Sequence, residues 1–343
     1  MRLFRIGAAG YIRSAWISSL TTTILAAMLP LSPAGAGVVK FMAPGSNETT
    51  VAGINSAGDV TGTANANSGA EYGFGFIRSA GGNFATFSDA HGGNLWATAI
   101  DDNDDVTGYE NYDGGVEAFV RSPSGTVTTF LAFGSLGTIP AAINATSGKI
   151  VGQYTDSNSI THGFVRVADG TISSIDPPNA VYSEADGTNS SGEIVGWFVD
   201  SSGGAHGFLQ SADGTITTID APWSQGSTQA FVINNNGDVA GEAFNTTFIR
   251  YANGNYAEPG QNIQPSGLSD EDDISGGTTG GDAALFSPTK RSWKLKLIKP
   301  PHNCLFVSGG SEGNMQFYIN DSATLGATVQ CSPGEANRGY IRN

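Results

Sequence analysis

Two runs of carboxylates invite a chemical reading. Asp101-Asp102-Asn103-Asp104-Asp105 and Asp270-Glu271-Asp272-Asp273 place oxygen ligands at alternate positions, at Asp101, Asn103 and Asp105 and again at Asp270 and Asp272. Hard oxygen donors so spaced suit Ca²⁺, although the runs lack the glycine and the distal bidentate glutamate of a calcium loop. The competing reading is a solvated polar turn. No other cofactor is implied. Among the four histidines, His162 and His206 hold the same place in successive segments, which points to a hydrogen-bonding role in a strand rather than to a shared metal ion. His91 and His302 fall in loops with no nucleophile nearby in sequence. The chain has no G-x-S-x-G, no H-E-x-x-H and no phosphate-binding loop. Ser287-Pro288-Thr289-Lys290 matches S-x-x-K but lacks the partner motifs of that chemistry. No catalytic residue is nominated.

The elements that would position these residues follow an export signal. Arg2, Arg5 and Arg13 precede an apolar run from Ala15 to Leu29, and Ala34-Gly35-Ala36 fits the small-x-small rule for cleavage. Residues 1–36 are therefore expected to be a signal peptide, and residues 37–343 a single domain, secreted, periplasmic or on a bacterial cell surface. An uncleaved anchor is the alternative, but the run falls short of the ~20 residues a bilayer span needs. No later segment could span a membrane. Cleavage would leave 13 basic residues against 31 acidic ones, a net charge of −18. Such a chain repels phosphate, which excludes non-specific binding of nucleic acid or anionic membrane. Outside the cytoplasm, the pair Cys304 and Cys331 points to a disulfide.

Glycine makes up 48 of 343 residues, double the usual ~7% share. With many Asp, Asn and Thr residues, this predicts turns and short strands. A phrase "apolar-x-Gly" after a polar turn ends at Gly62, Gly108, Gly152, Gly196, Gly241, Gly276 and Gly326, a mean period of 44 residues. A first strand before it ends at Ile54-Asn55, Ile100-Asp101, Ile143-Asn144, Thr188-Asn189, Ile233-Asn234, Leu268-Ser269 and Ile319-Asn320. A third strand carries Phe76, Phe119, Phe164, Phe208, Phe248, Phe286 or Tyr340. Asp169-Gly170 and Asp213-Gly214 then suggest two-residue hairpins into a fourth. Four antiparallel strands at this period describe a propeller blade.

The last unit stops inside its third strand, while Val38 to Phe41 matches a fourth strand with no unit of its own. The fold expected is thus all-β: a seven-bladed β-propeller of four antiparallel strands per blade, its ring closed by the N-terminal strand completing the last blade. The basic stretch Lys290 to Lys299 falls on an outermost strand, where lysines discourage edge-to-edge association.

His162-Gly163-Phe164, His206-Gly207-Phe208 and Glu117-Ala118-Phe119, with the surrounding Ile-Asn-x-x-Gly-Asp-Val-x-Gly and Asp-Gly-Thr-Ile phrases, resemble the HAF repeat of secreted bacterial proteins. The likeness runs from Val38 to Asn343 and fades in the last two units. It implies export and propeller-like repeats, and no catalytic residues.

In such a propeller the short turns lie on one face and the variable second-to-third and fourth-to-first loops on the other. Trp96, Tyr112, Tyr182 and Trp223 fall on the loop face, where they would stack on sugars or hold a peptide; otherwise they plug the ring mouth or wedge between blades. The expectation is a monomeric, non-catalytic binding or scaffold propeller for an extracellular glycan, peptide or envelope protein. The alternative is a propeller enzyme, a lyase, lactonase or glycosidase, with its site in the central channel. A convergence of His, Glu, Asp or Arg there would favour the enzyme.

Overall fold

Strands form because each repeat alternates apolar side chains with Thr, Ser and Asn and interrupts every run with Gly, Asp or Asn. The computed structural model describes residues 37–66, 73–88, 91, 94–112, 115–260, 262–278, 282–289, 292–298, 300, 304–307, 317–331 and 336–342, and of Tyr112 the main chain alone. Residues 1–36, read above as a signal, lie outside this set, as does His302. Every regular element of the described chain is a β-strand.

The first sheet takes Ser46–Ile54, Val60–Ala66, Gly73–Arg78 and Phe84–Phe87 in chain order, all antiparallel. The same order recurs over Ala180–Thr188, Ile194–Asp200, Ala205–Gln210 and Ile216–Ile219, and in the sheets that begin at Thr228–Ile233 and Ile263–Leu268. The two repeats that begin at Asn94–Ile100 and Gly137–Ile143 are joined into one eight-stranded sheet by a single parallel pair, Gly137 with Val116. The last sheet combines both ends of the chain. Val38–Phe41 pairs antiparallel with Arg338–Arg342, which pairs with Leu325–Gln330; Leu305–Phe306 and Tyr318–Ile319 share the far edge. The lysine-rich strand Trp293–Ile298 is an outer edge, with Lys294 and Lys296 exposed.

The glycine of the repeated phrase has a steric cause. A Cβ on Gly196 would stand 2.0 Å from the Glu184 carbonyl oxygen and 2.8 Å from the Phe208 ring. At Gly62, Gly108, Gly152, Gly196 and Gly241 alike the third-strand phenylalanine closes on the second strand and only glycine leaves room for it, whereas a Cβ on Gly276 would meet Gln264 and one on Gly326 would meet Val51. Phe76, Phe119, Phe164, Phe208, Phe248, Phe286 and Tyr340 are all buried.

The apolar clusters straddle successive repeats. Val195 and Ile219 pack with Ala230, Val239 and Phe248 of the next repeat, and Ala240 and Ile249 with Ile263, Ile274 and Phe286 of the one after. Ala283 and Ile298 pack against Phe317, Leu325 and Tyr340 of the last sheet. Phe41 and Ile341 of that sheet in turn pack against Val51, Val60 and Phe76 of the first. A single sheet exposes both faces, so this stacking is where the repeats gain their burial.

The third-to-fourth turns differ from the expected two-residue hairpins. Val167 N–H donates to Thr171 O and Gly170 N–H to Val167 O, with Gly170 at φ +91° and Asp169 at negative φ. This is a three-residue loop, a type I turn followed by a left-handed glycine. Asp169 acts through its carboxylate, which accepts the Thr171 N–H at 2.8 Å.

Candidate functional site

A cavity of about 250 Å³ opens where the first strands of the repeats come together. It is lined by residues 52–54, 98–100, 141–142, 186–188, 232–233, 266–268 and 318–319. The backbone shapes this lining. The first strands carry a β-bulge two residues before their ends, between Val51 and Gly53, Ala97 and Ala99, Pro140 and Ala142, Ala185 and Gly187, Ala230 and Val232, and Pro265 and Gly267. A bulge turns the extra residue out of the ladder, and Ala52, Thr98, Ala141, Asp186 and Ser266 reach the cavity in this way. Ser266 also ties two repeats together, since its hydroxyl donates to Phe317 O at 2.8 Å. Most of the lining is Ala, Gly, Ile, Val and Leu. Among the described residues Asp186 is its one carboxylate, and it holds no His, Lys or Arg. Tyr318 is the other ionisable group, and burial pushes its phenol up. The set needed for acid–base work, two groups with opposed tasks, does not converge on this cavity.

On the short-turn face, an asparagine after the first strand stitches its repeat to the next. Asn55 Nδ2 donates to Asp101 O at 3.2 Å, Asn144 Nδ2 to Asn189 O, Asn189 Nδ2 to Asn234 O at 3.1 Å and Asn234 Nδ2 to Ser269 O at 3.0 Å. The Oδ1 atoms of these residues accept N–H groups of their own turns, as from Asp59, Glu193 and Asp238. Asp101 stands at the same position with a carboxyl in place of an amide. Its Oδ1 accepts the Asn103 and Asp105 N–H groups, while its buried Oδ2 has no hydrogen-bond partner. Burial pushes this carboxyl up to about 6.

The acidic runs serve these turns. Asp104 and Asp272 occupy left-handed positions, φ +65° and +66°, that glycine fills in the turns of Gly58, Gly192 and Gly237. Aspartate is among the few residues that adopt this conformation readily. Asp270 Oδ1 accepts the Asn235 N–H at 2.7 Å and Asp272 Oδ1 the Asn234 amide at 3.2 Å. The Arg121 guanidinium lies against Asp104, donating to its carbonyl at 3.3 Å. Of the candidates for Ca²⁺, Asp101, Asp270 and Asp272 thus accept hydrogen bonds from their own or neighbouring turns, and Asn103 and Asp105 donate their main-chain N–H groups to Asp101. Among the described residues no group of three or more His, Cys, Asp or Glu side chains is placed to hold a metal ion.

On the loop face, the nominated aromatics are half-buried and engaged. Trp96 stacks on Tyr109 at 5.3 Å, Tyr182 lies 5.0 Å from Trp197, and Trp223 donates its indole N–H to Thr246 Oγ1 at 3.0 Å. The Tyr112 side chain lies outside the described residues. The histidines are held by carboxylates: His162 Nδ1 is 2.8 Å from Asp176 and His206 Nδ1 2.8 Å from Asp220, over Tyr154 and Phe198 respectively. His91 meets Glu110, a wholly buried side chain that sequence reasoning did not single out. Sequence reasoning also passed over the groups that face solvent: Phe133, Leu136, Ile160, Val181 and Phe244. The signal was present in Phe133-Gly134 and Phe244-Asn245, each a bulky residue directly before a turn former.

Cys304 and Cys331 are joined in a disulfide, the pairing expected from the sequence. Among the described residues no helix is long and apolar enough to cross a membrane.

No protein-family model and no curated protein matches the chain. Solved structures do. Virginiamycin B lyase from Staphylococcus aureus is 12% identical with a TM-score of 0.58, over 90% of this chain and 100% of that one. A streptogramin B lyase is 13% identical with a TM-score of 0.56, over 90% and 98%. The β-propeller domain of the Trilobed protease from Pyrococcus furiosus is 11% identical with a TM-score of 0.52, over 86% and 96%. The fold is a β-propeller. At these identities the likeness carries the fold and no activity.

Proposed function

We propose that this is an exported, non-catalytic binding module of the HAF-repeat kind. It is a seven-bladed propeller whose ring is closed when Val38–Phe41 completes the last blade, and its ligand, a glycan, peptide or envelope protein, docks on the variable-loop face. Closure is supported by the pairing of the two chain ends, by the Phe41 and Ile341 contacts with Val51 and Phe76, and by the Asn320 amide, which donates to Asn55 O.

The observation that carries the binding reading is the composition of the central cavity. Among the described lining residues the ionisable groups are Asp186 and Tyr318 alone, amid small and aliphatic side chains, with no histidine, lysine or arginine and no cysteine nucleophile. The loop face instead displays apolar side chains on a rigid frame, the usual setting of a recognition surface. Two neighbouring structures are named as lyases, and Asp186 keeps an enzymatic reading specific enough to test.

The experiment pairs a thermal-shift screen of glycans and peptides with turnover assays on lyase, lactone and glycoside substrates. A ligand that raises the melting temperature without being consumed, and loses its effect when loop residues are changed, agrees with the binding module. Turnover that Asp186→Asn abolishes would replace it with an enzyme.

A further inference from the structure

Two phenylalanines on the loop face sit where the backbone resists them. Ser135 N–H donates to Ala132 O at 2.9 Å, closing a turn whose central residues, Phe133 and Gly134, have φ of +51° and +66°. Phe244 and Asn245, at +46° and +62°, form the two-residue link between the strands Val239–Ala243 and Thr246–Arg250. Both are type I′ turns, which favour Asn or Gly at the first central position because both central residues must be left-handed. A bulky residue there is a conformational outlier. Neither ring is repaid by burial, since Phe133 is 60% exposed and Phe244 50%. Such an outlier, held twice on one face and both times by an exposed aromatic, points to a function for the ring.

Phe133 has company. Its ring lies 5.2 Å from that of Tyr154, and Leu136, 58% exposed, donates its N–H to Thr155 O at the end of the neighbouring strand. The turn after that strand presents Ile160. The Ile160 N–H donates to the Asp156 carboxylate, which places one negative charge beside this patch. The loops and strand ends of this face from Leu131 to Asn245 carry Asp156, Asp176, Asp200 and Asp220 and neither lysine nor arginine. Hydrogen bonds favour the ionised form at Asp156 and Asp200. The Ile160 main chain holds the Asp156 carboxyl below its usual range, and the Ser202 hydroxyl first among its donors holds Asp200 at about 2.

We propose that the loop face around Phe133, Leu136 and Ile160 docks a basic segment of a partner protein, its apolar side chains meeting the patch and its cations meeting the aspartates. This rests on the binding-module reading and names its partner class. A second copy of the chain is disfavoured as occupant, since each carries a formal charge of −15 and like charges repel.

The substitution Phe133→Asn tests the idea because structure and function predict opposite results. Asparagine ahead of Gly134 would suit the turn, so a ring kept for packing gives a lower melting temperature when removed, and a ring kept for recognition gives an equal or higher one. Fluorescence anisotropy is measured with labelled twelve-residue peptides of alternating Lys and Leu, and of alternating Glu and Leu, on wild type, Phe133→Asn and Leu136→Ser. The expected result is binding of the Lys-Leu peptide only, weakened about tenfold by Phe133→Asn with no loss of thermal stability. A lowered melting temperature, or Lys-Leu binding that is absent or indifferent to both substitutions, overturns the proposal. Binding of the Glu-Leu peptide that Phe133→Asn weakens would leave the loop-face module standing and remove only the basic partner.

Discussion

Asn320 donates its side-chain amide to the main-chain carbonyl of Asn55, 2.9 Å away across 265 positions of sequence. The same bond joins Asn189 to Asn234, which belong to successive repeats. One stitch therefore serves both successive repeats and the meeting of the first with the last. Replacing Asn320 with Ala would leave the buried Asn55 carbonyl with the Gly58 N–H alone and deprive the Ser322 and Thr324 N–H groups of the Oδ1 that accepts them. The expected loss is about 2 kcal/mol, read from the denaturation midpoint.

At Asp101 the stitch is missing, and the loss is pH-dependent. Its folded-state carboxyl titrates near 6, raised by burial. A raised carboxyl contributes stability that is complete below its unfolded pKa, about 4, and is lost as pH rises through the folded value. Asp101→Asn supplies the amide of the other repeats. It should raise the melting temperature above pH 7, with a gain that shrinks toward pH 4. Asp104, Asp105 and Asp272 are raised as well, so the informative quantity is the difference between variant and wild type across pH. A gain that does not change with pH would dismiss the titration account.

Gly196 and Gly203 separate two uses of glycine. A Cβ on Gly196 meets backbone and the Phe208 ring, whereas Gly203, at φ +88°, has open space around it. Gly196→Ala should cost about 3 kcal/mol or prevent folding, and Gly203→Ala about 1 kcal/mol from its left-handed backbone. Urea denaturation of both variants makes the comparison; equal costs would show that the ring does not confine the second strand.

The Cys304–Cys331 disulfide spans 27 positions. Removing it as the double Ser variant should cost about 3 kcal/mol through the greater freedom of the unfolded chain. Thiol labelling of the unreduced protein should find no free cysteine.

The period of 44, the four strand positions and the meeting of Val38–Phe41 with Arg338–Arg342 were all legible in the chain. Each is a local pattern, alternation or a turn signal, repeated often enough to outweigh noise. The turn at Asp169-Gly170 was misread because Asp-Gly suits two hairpin types, and strand register selects between them. Trp96 and Tyr182 read in sequence as a ligand platform or as wedges between blades; each lies against a ring of the paired second strand, Tyr109 and Trp197.

By itself the sequence determined what depends on neighbours along the chain: strand, turn, period and the glycine required beneath an aromatic. The tertiary structure decided what depends on neighbours in space. It made Asp101 a buried carboxyl without a partner for one oxygen, left Phe133 exposed while burying Phe119, and brought Asp186 to the central cavity through a bulge. Burial and direction arise only when the repeats stack, because a face that is open on one sheet is closed by the next.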